Sequence, residues 1–196
     1  MPAEKNIVVI PGLGDDLKWT AFWLKFWNTP EAHIHVVSAE WGYRYGNDYN
    51  KTDLLKRKLA EIVAGGEPVG VVAISASASL ALRVMREERG LINKMVNIAG
   101  RLTLPSTGLP TLDPNIESHP VYRSIVRSLD DNQKLITDEY RQRVMTLRGM
   151  YDEQVPVSTI PLEGATNVRM PVIGHNLSIT TALTAYHSRI INFLLS

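Results

Sequence analysis

Residues 69–80 read VGVVAISASASL, and this stretch decides the fold of the chain. The first six residues are apolar or glycine and show no polar alternation, which is typical of a strand buried on both faces. The apolar residues Leu80, Ala81, Val84 and Met85 then follow at helical spacing, and Gly90 is a helix stop signal. A buried strand that runs directly into a helix is one unit of an α/β fold.

The same pattern occurs at the start of the chain. Residues 7–10 form a second β-branched run, which stops at the turn-forming sequence Pro11-Gly12-Leu13-Gly14. Asp15 or Asp16 can then cap a helix. Five aromatic residues recur along this helix with spacings that place them on one face, so we expect them to pack on the sheet: Trp19, Phe22, Trp23, Phe26 and Trp27.

Strands and helices continue to alternate through the rest of the chain. Residues 33–37, 94–99 and 144–147 have strand patterns, and residues 53–63 and 179–195 have helical patterns. Between the later strands lie about forty residues whose first part is proline-rich and whose second part, from Pro120, is helical. The alternation predicts a doubly wound α/β fold with a mostly parallel sheet, and 196 residues fit a single domain, 1–196.

Composition excludes several functional classes. Lys plus Arg total 21 and Asp plus Glu total 20, a formal charge of +1 without a basic cluster, so we expect no nucleic-acid partner. The chain has no cysteine, which excludes disulfides, thiolate metal sites and cysteine nucleophiles. No apolar run approaches the roughly 18 residues of a membrane span, and no signal-peptide pattern is present, so we expect a cytoplasmic protein without a membrane span.

A serine follows the strand of residues 69–74. A nucleophilic serine on a tight strand-to-helix turn needs small residues two positions before and after it. Two frames satisfy this rule, one centred on Ser75 and one on Ser77, and the longer strand of the first frame favours Ser75. The other reading is that this Ser/Ala cluster only lets a helix pack closely on a strand. Alanine and serine replace the usual glycines at the flanking positions.

Two further strand ends carry an acid and a histidine. Residues 146–156 place Asp152 in a loop after a strand, and residues 171–176 place His175 just before the last helix. Each is common alone, because aspartate is frequent in turns and loop histidines are usually surface residues. The order Ser, Asp, His, with each residue at the end of a predicted strand, makes a Ser-His-Asp triad the better interpretation.

These motifs resemble the α/β-hydrolase superfamily, in its small esterase-like and lipase-like members, over nearly the whole chain. Residues 68–82 look like its nucleophile strand and helix, and Gly149-x-x-Asp152-x-x-Val155-Pro156 is similar to its acid loop. Gly174-His175 matches its histidine loop. Pro11-Gly12-Leu13-Gly14 resembles its oxyanion loop, with Pro11 where a histidine often precedes the first glycine.

The resemblance implies a serine hydrolase that cleaves a carboxylic ester, or an amide or thioester, through an acyl-enzyme. Ser75 would be the nucleophile, His175 the base and Asp152 its partner, with the backbone amides of Leu13 and Ala76 as the oxyanion hole. It implies a small-molecule acyl substrate, no cofactor, no metal and a cap or lid over residues 101–142. Trp41, Tyr43 and Tyr45 are candidates for lining an acyl or alcohol pocket. The alternative is a non-catalytic binding protein or an acyltransferase with the same fold.

Overall fold

The computed structural model describes residues 5–27, 29–41, 48–64, 66–104 and 119–196. Within them, a single six-stranded sheet has the order β2-β1-β3-β4-β5-β6, and every neighbouring pair of strands is parallel. The strands are β1 (Lys5–Ile10), β2 (Ala32–Val36), β3 (Val69–Ile74), β4 (Ile92–Ile98), β5 (Val144–Arg148) and β6 (Thr166–Arg169).

Helices connect the strands. Two begin as the sequence indicates: Asp16 caps the first by accepting a hydrogen bond from the Trp19 amide at 2.8 Å, and Pro120 occupies the first turn of the fourth. None of the described helices is long and apolar enough to cross a membrane. They are α1 (Leu17–Leu24), α2 (Asp48–Val63), α3 (Ser77–Glu87), α4 (Pro120–Arg127), α5 (Leu129–Leu135), α6 (Asp138–Gln142), α7 (His175–Thr184) and α8 (His187–Leu195).

The sheet carries a hydrophobic core on each face, because successive side chains of a strand point to opposite sides. In β3, Val69, Val71 and Ala73 pack toward α2 to α6, whereas Val72 and Ile74 pack toward α1, α7 and α8. All six residues of β3 are buried. The chain therefore adopts the doubly wound α/β architecture predicted from its sequence.

The strand order creates a crevice at the carboxyl ends of β1 and β3. From β1 the chain crosses to β2 on one side and returns to β3 on the other side, so the direction of winding reverses between β1 and β3. Ligands of open parallel sheets bind at the carboxyl ends of the strands beside such a switch point. The loops after Ile10 and Ile74 meet there.

Several element predictions need correction. The strand β6 is not predicted from the sequence, because its four residues, TNVR, are mostly exposed and give no apolar run. The predicted helix 179–195 is two helices, α7 and α8, and α7 already begins at His175. The second helix begins at Asp48, five residues before the predicted start at residue 53.

The prediction that the aromatic face of α1 packs on the sheet is wrong for most of its residues. The buried side chains of this region are Thr20, Leu24 and Trp27, and the Trp27 indole donates a hydrogen bond of 2.7 Å to the carbonyl of Leu183. Phe22 and Phe26 are 51% and 58% exposed. The five aromatic positions cover a wider arc of the helix than the buried stripe, so only part of them can face the core.

Candidate active site

Ser75 occupies a strained turn between β3 and α3. Its φ is +52°, a left-handed conformation that is uncommon for a residue with a side chain. Its amide donates a hydrogen bond of 2.9 Å to the carbonyl of Ile98, at the end of β4. Neither Ala73 nor Ser77 has a positive φ. The two flanking positions therefore do not need the backbone freedom of glycine, which accounts for alanine and serine there.

Two glycines from other elements make room for this turn. A Cβ on Gly12 would lie 3.0 Å from Cβ of Ser75. A Cβ on Gly100 would overlap the carbonyl oxygen of Ser75 and Cβ of Ala78, and would lie 2.7 Å from Oδ1 of Asn97. Because real Cβ contacts are longer, Gly100 requires glycine, whereas a side chain at Gly12 would only crowd the turn. The role of Gly100 is not visible in the sequence, since it depends on how the end of β4 packs beneath the turn.

Three side chains from distant parts of the chain meet at this crevice. Nε2 of His175 lies 3.0 Å from Oγ of Ser75, and Nδ1 of His175 lies 2.7 Å from Oδ2 of Asp152. The side chains of His175 and Asp152 are 4% and 0% exposed, whereas Ser75 is partly exposed to the crevice. A serine hydroxyl thus lies within hydrogen-bond distance of an imidazole whose other nitrogen is bonded to a carboxylate, which is the geometry that a Ser-His-Asp triad requires.

The loop after β5 fixes the carboxylate of Asp152. Its Oδ1 accepts hydrogen bonds of 2.8 Å from the amides of Gln154 and Val155, which leaves Oδ2 for the imidazole. The next residue, Glu153, accepts a hydrogen bond of 3.0 Å from the backbone amide of His175 through Oε2. Asp152 and Glu153 therefore hold His175 at its ring and at its backbone, respectively.

His175 is the first residue of α7 rather than a loop residue as the sequence suggested. Gly174 before it has a φ of +104°, and its amide donates a hydrogen bond of 2.9 Å to the carbonyl of Tyr151. Gly174 has no side chain with which to cap the helix. The carboxylate of Glu153 serves instead, and it places a negative charge at the positive end of α7.

Ser77, the other candidate nucleophile, is fully buried and faces away from this chemistry. Its hydroxyl donates a hydrogen bond to the carbonyl of Pro11 and accepts one of 3.0 Å from the indole of Trp41. Trp41 in turn packs edge-to-face on Tyr122, with 6.2 Å between ring centroids. The structure thus brings Ser75 to His175, and uses Ser77 to connect α3 with the glycine loop after β1.

A cavity of about 570 Å³ opens over Ser75 and His175. Leu13 and Ala76 both line it, and in the described part of the chain neither backbone amide donates a hydrogen bond. Two free N–H groups beside a serine are the arrangement that an oxyanion hole requires. Tyr122 lines this cavity, although the sequence did not indicate that role. Trp41, which we expected there, does not line the cavity and packs on Tyr122 instead. Tyr43 and Tyr45 lie outside the described residues.

The described residues hold no group of three or more His, Cys, Asp or Glu side chains arranged to bind a metal ion. No protein-family model matches the sequence, and no curated protein matches it.

Solved structures match nearly the whole chain. One belongs to a study of LipS and LipT, two metagenome-derived lipolytic enzymes: TM-score 0.69, 8% identity, with 97% of this chain and 93% of that chain covered. A lipase-esterase related protein from Clostridium acetobutylicum matches with TM-score 0.68, 11% identity, and 98% and 95% covered. An α/β hydrolase from a Medee basin deep-sea metagenome matches with TM-score 0.63, 14% identity, and 100% and 91% covered. The chain therefore has the α/β-hydrolase fold.

Proposed function

We propose that this chain is a serine hydrolase that cleaves a carboxylic ester through a covalent acyl-enzyme. The observation that carries the proposal is the continuous hydrogen-bonded series from Ser75 Oγ through His175 to Asp152, at distances of 3.0 and 2.7 Å. It lies at the switch point of the sheet and opens into a cavity. The lipolytic and esterase-related proteins that share the fold support the same reaction class.

Each residue has one role in this reaction. Oγ of Ser75 attacks the acyl carbon, and its proton passes to Nε2 of His175. Asp152 accepts the hydrogen bond from Nδ1 and stabilises the imidazolium, while the amides of Leu13 and Ala76 bind the oxyanion. The alcohol leaves with the proton from His175. Water, deprotonated by the same imidazole, then attacks the acyl-enzyme, and the acid leaves as Ser75 is restored.

The walls of the cavity combine apolar side chains with polar ones, among them Asp16 and Gln154, so we expect an acyl compound with both apolar and polar parts. Trp19 and Ile179 line it from α1 and α7, and Tyr122 lines it from α4. An ester is the substrate class we favour, with amides and thioesters as the related acyl bonds. We propose residues 101–142 as a cap within a single domain, because α4 supplies Tyr122 to the cavity. Residues 105–118 of that segment lie outside the described residues.

Labelling with a fluorophosphonate tests the proposal. The reagent phosphonylates activated serines and spares ordinary ones, so intact mass should show one adduct and peptide mapping should place it on Ser75. The adduct should be lost in Ser75→Ala and in His175→Ala and kept in Ser77→Ala, with thermal melting to show that each variant is folded. An adduct on Ser77, or none on the folded wild type, would contradict the assignment.

Product analysis on p-nitrophenyl acetate separates hydrolysis from transfer. A hydrolase releases acetate in water and shows little preference for added alcohols or amines. Acyl transfer to an added acceptor in preference to water would indicate an acyltransferase, because both reactions share the acyl-enzyme and differ in the second nucleophile. Absence of both reactions would favour a binding protein with this fold.

A further inference from the structure

The outer surface of α1 is an exposed aromatic patch, which consists of Trp19, Phe22 and Phe26, with Trp23 partly buried beneath them. The four rings contact one another in a continuous series, with centroid distances of 5.2 to 6.4 Å. Phe22 and Phe26 are more than half exposed. Large apolar side chains that cluster on a surface mark a binding site more often than scattered ones do.

Two lysines border the aromatic patch. Lys18 and Lys25 lie four residues before and three residues after Phe22, so on a helix they lie beside its ring. Both lysines are exposed, and α1 itself contains no acidic residue, although Asp15 and Asp16 directly precede it and line the cavity. The carboxylate of Asp16, which precedes the helix, accepts the hydrogen bond from the amide of Trp19. Exposed aromatic rings next to lysines are the residue types that a helix presents to the headgroup boundary of a lipid surface.

The aromatic patch is continuous with the cavity over Ser75. Trp19 belongs to both, and the next residue, Thr20, also lines the cavity. On α7, which contacts α1, Leu177 is 52% exposed and follows Asn176, which lines the cavity. A second copy of the chain or a folded partner on α1 would place a protein surface beside this cavity and bring no acyl group to it. A lipid surface would instead deliver acyl chains to it.

We propose that the aromatic patch of α1 docks the protein on a lipid surface that carries anionic headgroups, from which acyl chains enter the cavity. The rings of Phe22 and Phe26 enter the boundary between headgroups and acyl chains, and Lys18 and Lys25 pair with the anionic headgroups. This inference rests on the proposed hydrolase function for its purpose. Docking itself needs no catalysis.

Vesicle binding can therefore be measured with the inactive Ser75→Ala protein. The assay is co-sedimentation with phosphatidylcholine vesicles, prepared with and without phosphatidylglycerol. We expect binding to the mixed vesicles, about tenfold or more weaker binding without the anionic lipid, and further weakening as salt is added. Phe22→Ser with Phe26→Ser should weaken binding on the order of 30-fold, because two half-exposed phenyl rings no longer enter the lipid.

Leu135→Ser is the matched control. Leu135 is 60% exposed on α5, on the opposite face of the sheet, so its loss should leave vesicle binding unchanged. The Phe22/Phe26 double variant in the Ser75 protein should keep its kcat/KM for soluble p-nitrophenyl acetate, since neither phenylalanine lines the cavity. Thermal melting shows that both variants are folded.

Three outcomes would overturn the docking proposal. The first is that the folded Ser75→Ala protein binds neither kind of vesicle, and the second is that the double variant binds vesicles as tightly as the protein with both phenylalanines. The third is that the protein is a dimer which the double variant converts to a monomer, while neither protein binds vesicles. The last result would show that a second copy covers α1. Hydrolysis of the soluble ester without vesicle binding would support the proposed function and overturn the docking proposal. Vesicle binding without hydrolysis would support the docking proposal and overturn the proposed function.

Discussion

Substitution of Gly100 by alanine is the sharpest test of how the turn at Ser75 is built. The added Cβ would overlap the carbonyl of Ser75 and lie 2.7 Å from Oδ1 of Asn97. Carbon contacts settle near 3.5–4.0 Å, so the turn or the end of β4 must move by about 1 Å. Neither side can yield easily. The side chain of Asn97 accepts a hydrogen bond from the backbone N–H of Gly100 and donates one to its carbonyl. The backbone N–H of Ser75 donates a hydrogen bond to the carbonyl of Ile98.

The expected loss is larger in activity than in stability. Overpacking a buried site costs about 1–3 kcal/mol of folding free energy. A displacement of about 1 Å between reacting groups can reduce the rate roughly 100-fold. Gly100→Ala should therefore unfold at lower urea concentration than the wild type, and its rates of fluorophosphonate labelling and p-nitrophenyl acetate hydrolysis should fall by about two orders of magnitude.

Two variants control this experiment. Gly90→Ala places a Cβ with no atom within 4 Å, so both stability and labelling should remain close to wild type. Gly12→Ala places its Cβ 3.0 Å from Cβ of Ser75, a milder crowding of the same turn, and keeps the test informative if Gly100→Ala does not fold. Wild-type stability and labelling rate in folded Gly100→Ala would refute the packing argument.

Substitutions at three other positions have defined outcomes. Asp152→Asn should remain folded but lose on the order of 10⁴ in kcat for p-nitrophenyl acetate, since the amide cannot hold the imidazole in the required tautomer; near wild-type turnover would remove Asp152 from the triad. Glu153→Ala should lower kcat with little change in KM. Glu153→Gln should recover part of the loss, because its side-chain oxygen can still accept the hydrogen bond from the backbone amide of His175. Equal rates in the two variants would show that this hydrogen bond does not position His175. Burial opposes the charge on Glu87, but hydrogen bonds from Arg83 and Lys56 outweigh it and hold the pKa of this carboxyl below its ordinary value of 4.5. The ionised Glu87 therefore stabilises the folded state above pH 4.5, and this stabilisation is lost as the pH falls below that value. Glu87→Gln should lower the free energy of unfolding by under about 1 kcal/mol at pH 7. When this free energy is measured by urea unfolding at several pH values, it should fall less steeply below pH 4.5 in the variant than in the wild type. An unchanged fall would contradict this.

The strands were predictable where burial on both faces leaves a mark in the sequence. Residues 7–10 and 69–74 are continuous apolar runs, and both are strands of the parallel sheet. The strand β6 left no such mark, because it lies at the edge of the sheet and exposes most of its residues. The break between α7 and α8 was equally hidden, since apolar residues continue through both helices.

The site was predictable in its residue types and less so in its surroundings. Local rules locate Ser75, Asp152 and His175 at strand ends, and the parallel sheet explains why these ends meet. Gly100 and Tyr122 act through contacts between elements that are remote in sequence, which no local pattern encodes. The orientation of α1 depends on how Trp27 packs against α7, and for that reason the exposure of Phe22 and Phe26 was not foreseen.

The separation of Ser75 and His175 along the chain gives the site a use in the study of folding. The two residues are 100 positions apart, and His175 depends on the loop after β5 for its place, through the bond from Gly174 to Tyr151. The turn at Ser75 can form once β1, β3 and β4 have paired, but its hydroxyl meets the imidazole of His175 only when α7 docks. Pulse labelling with a fluorophosphonate during refolding would thus time the docking of α7, while tryptophan fluorescence follows the burial of the core.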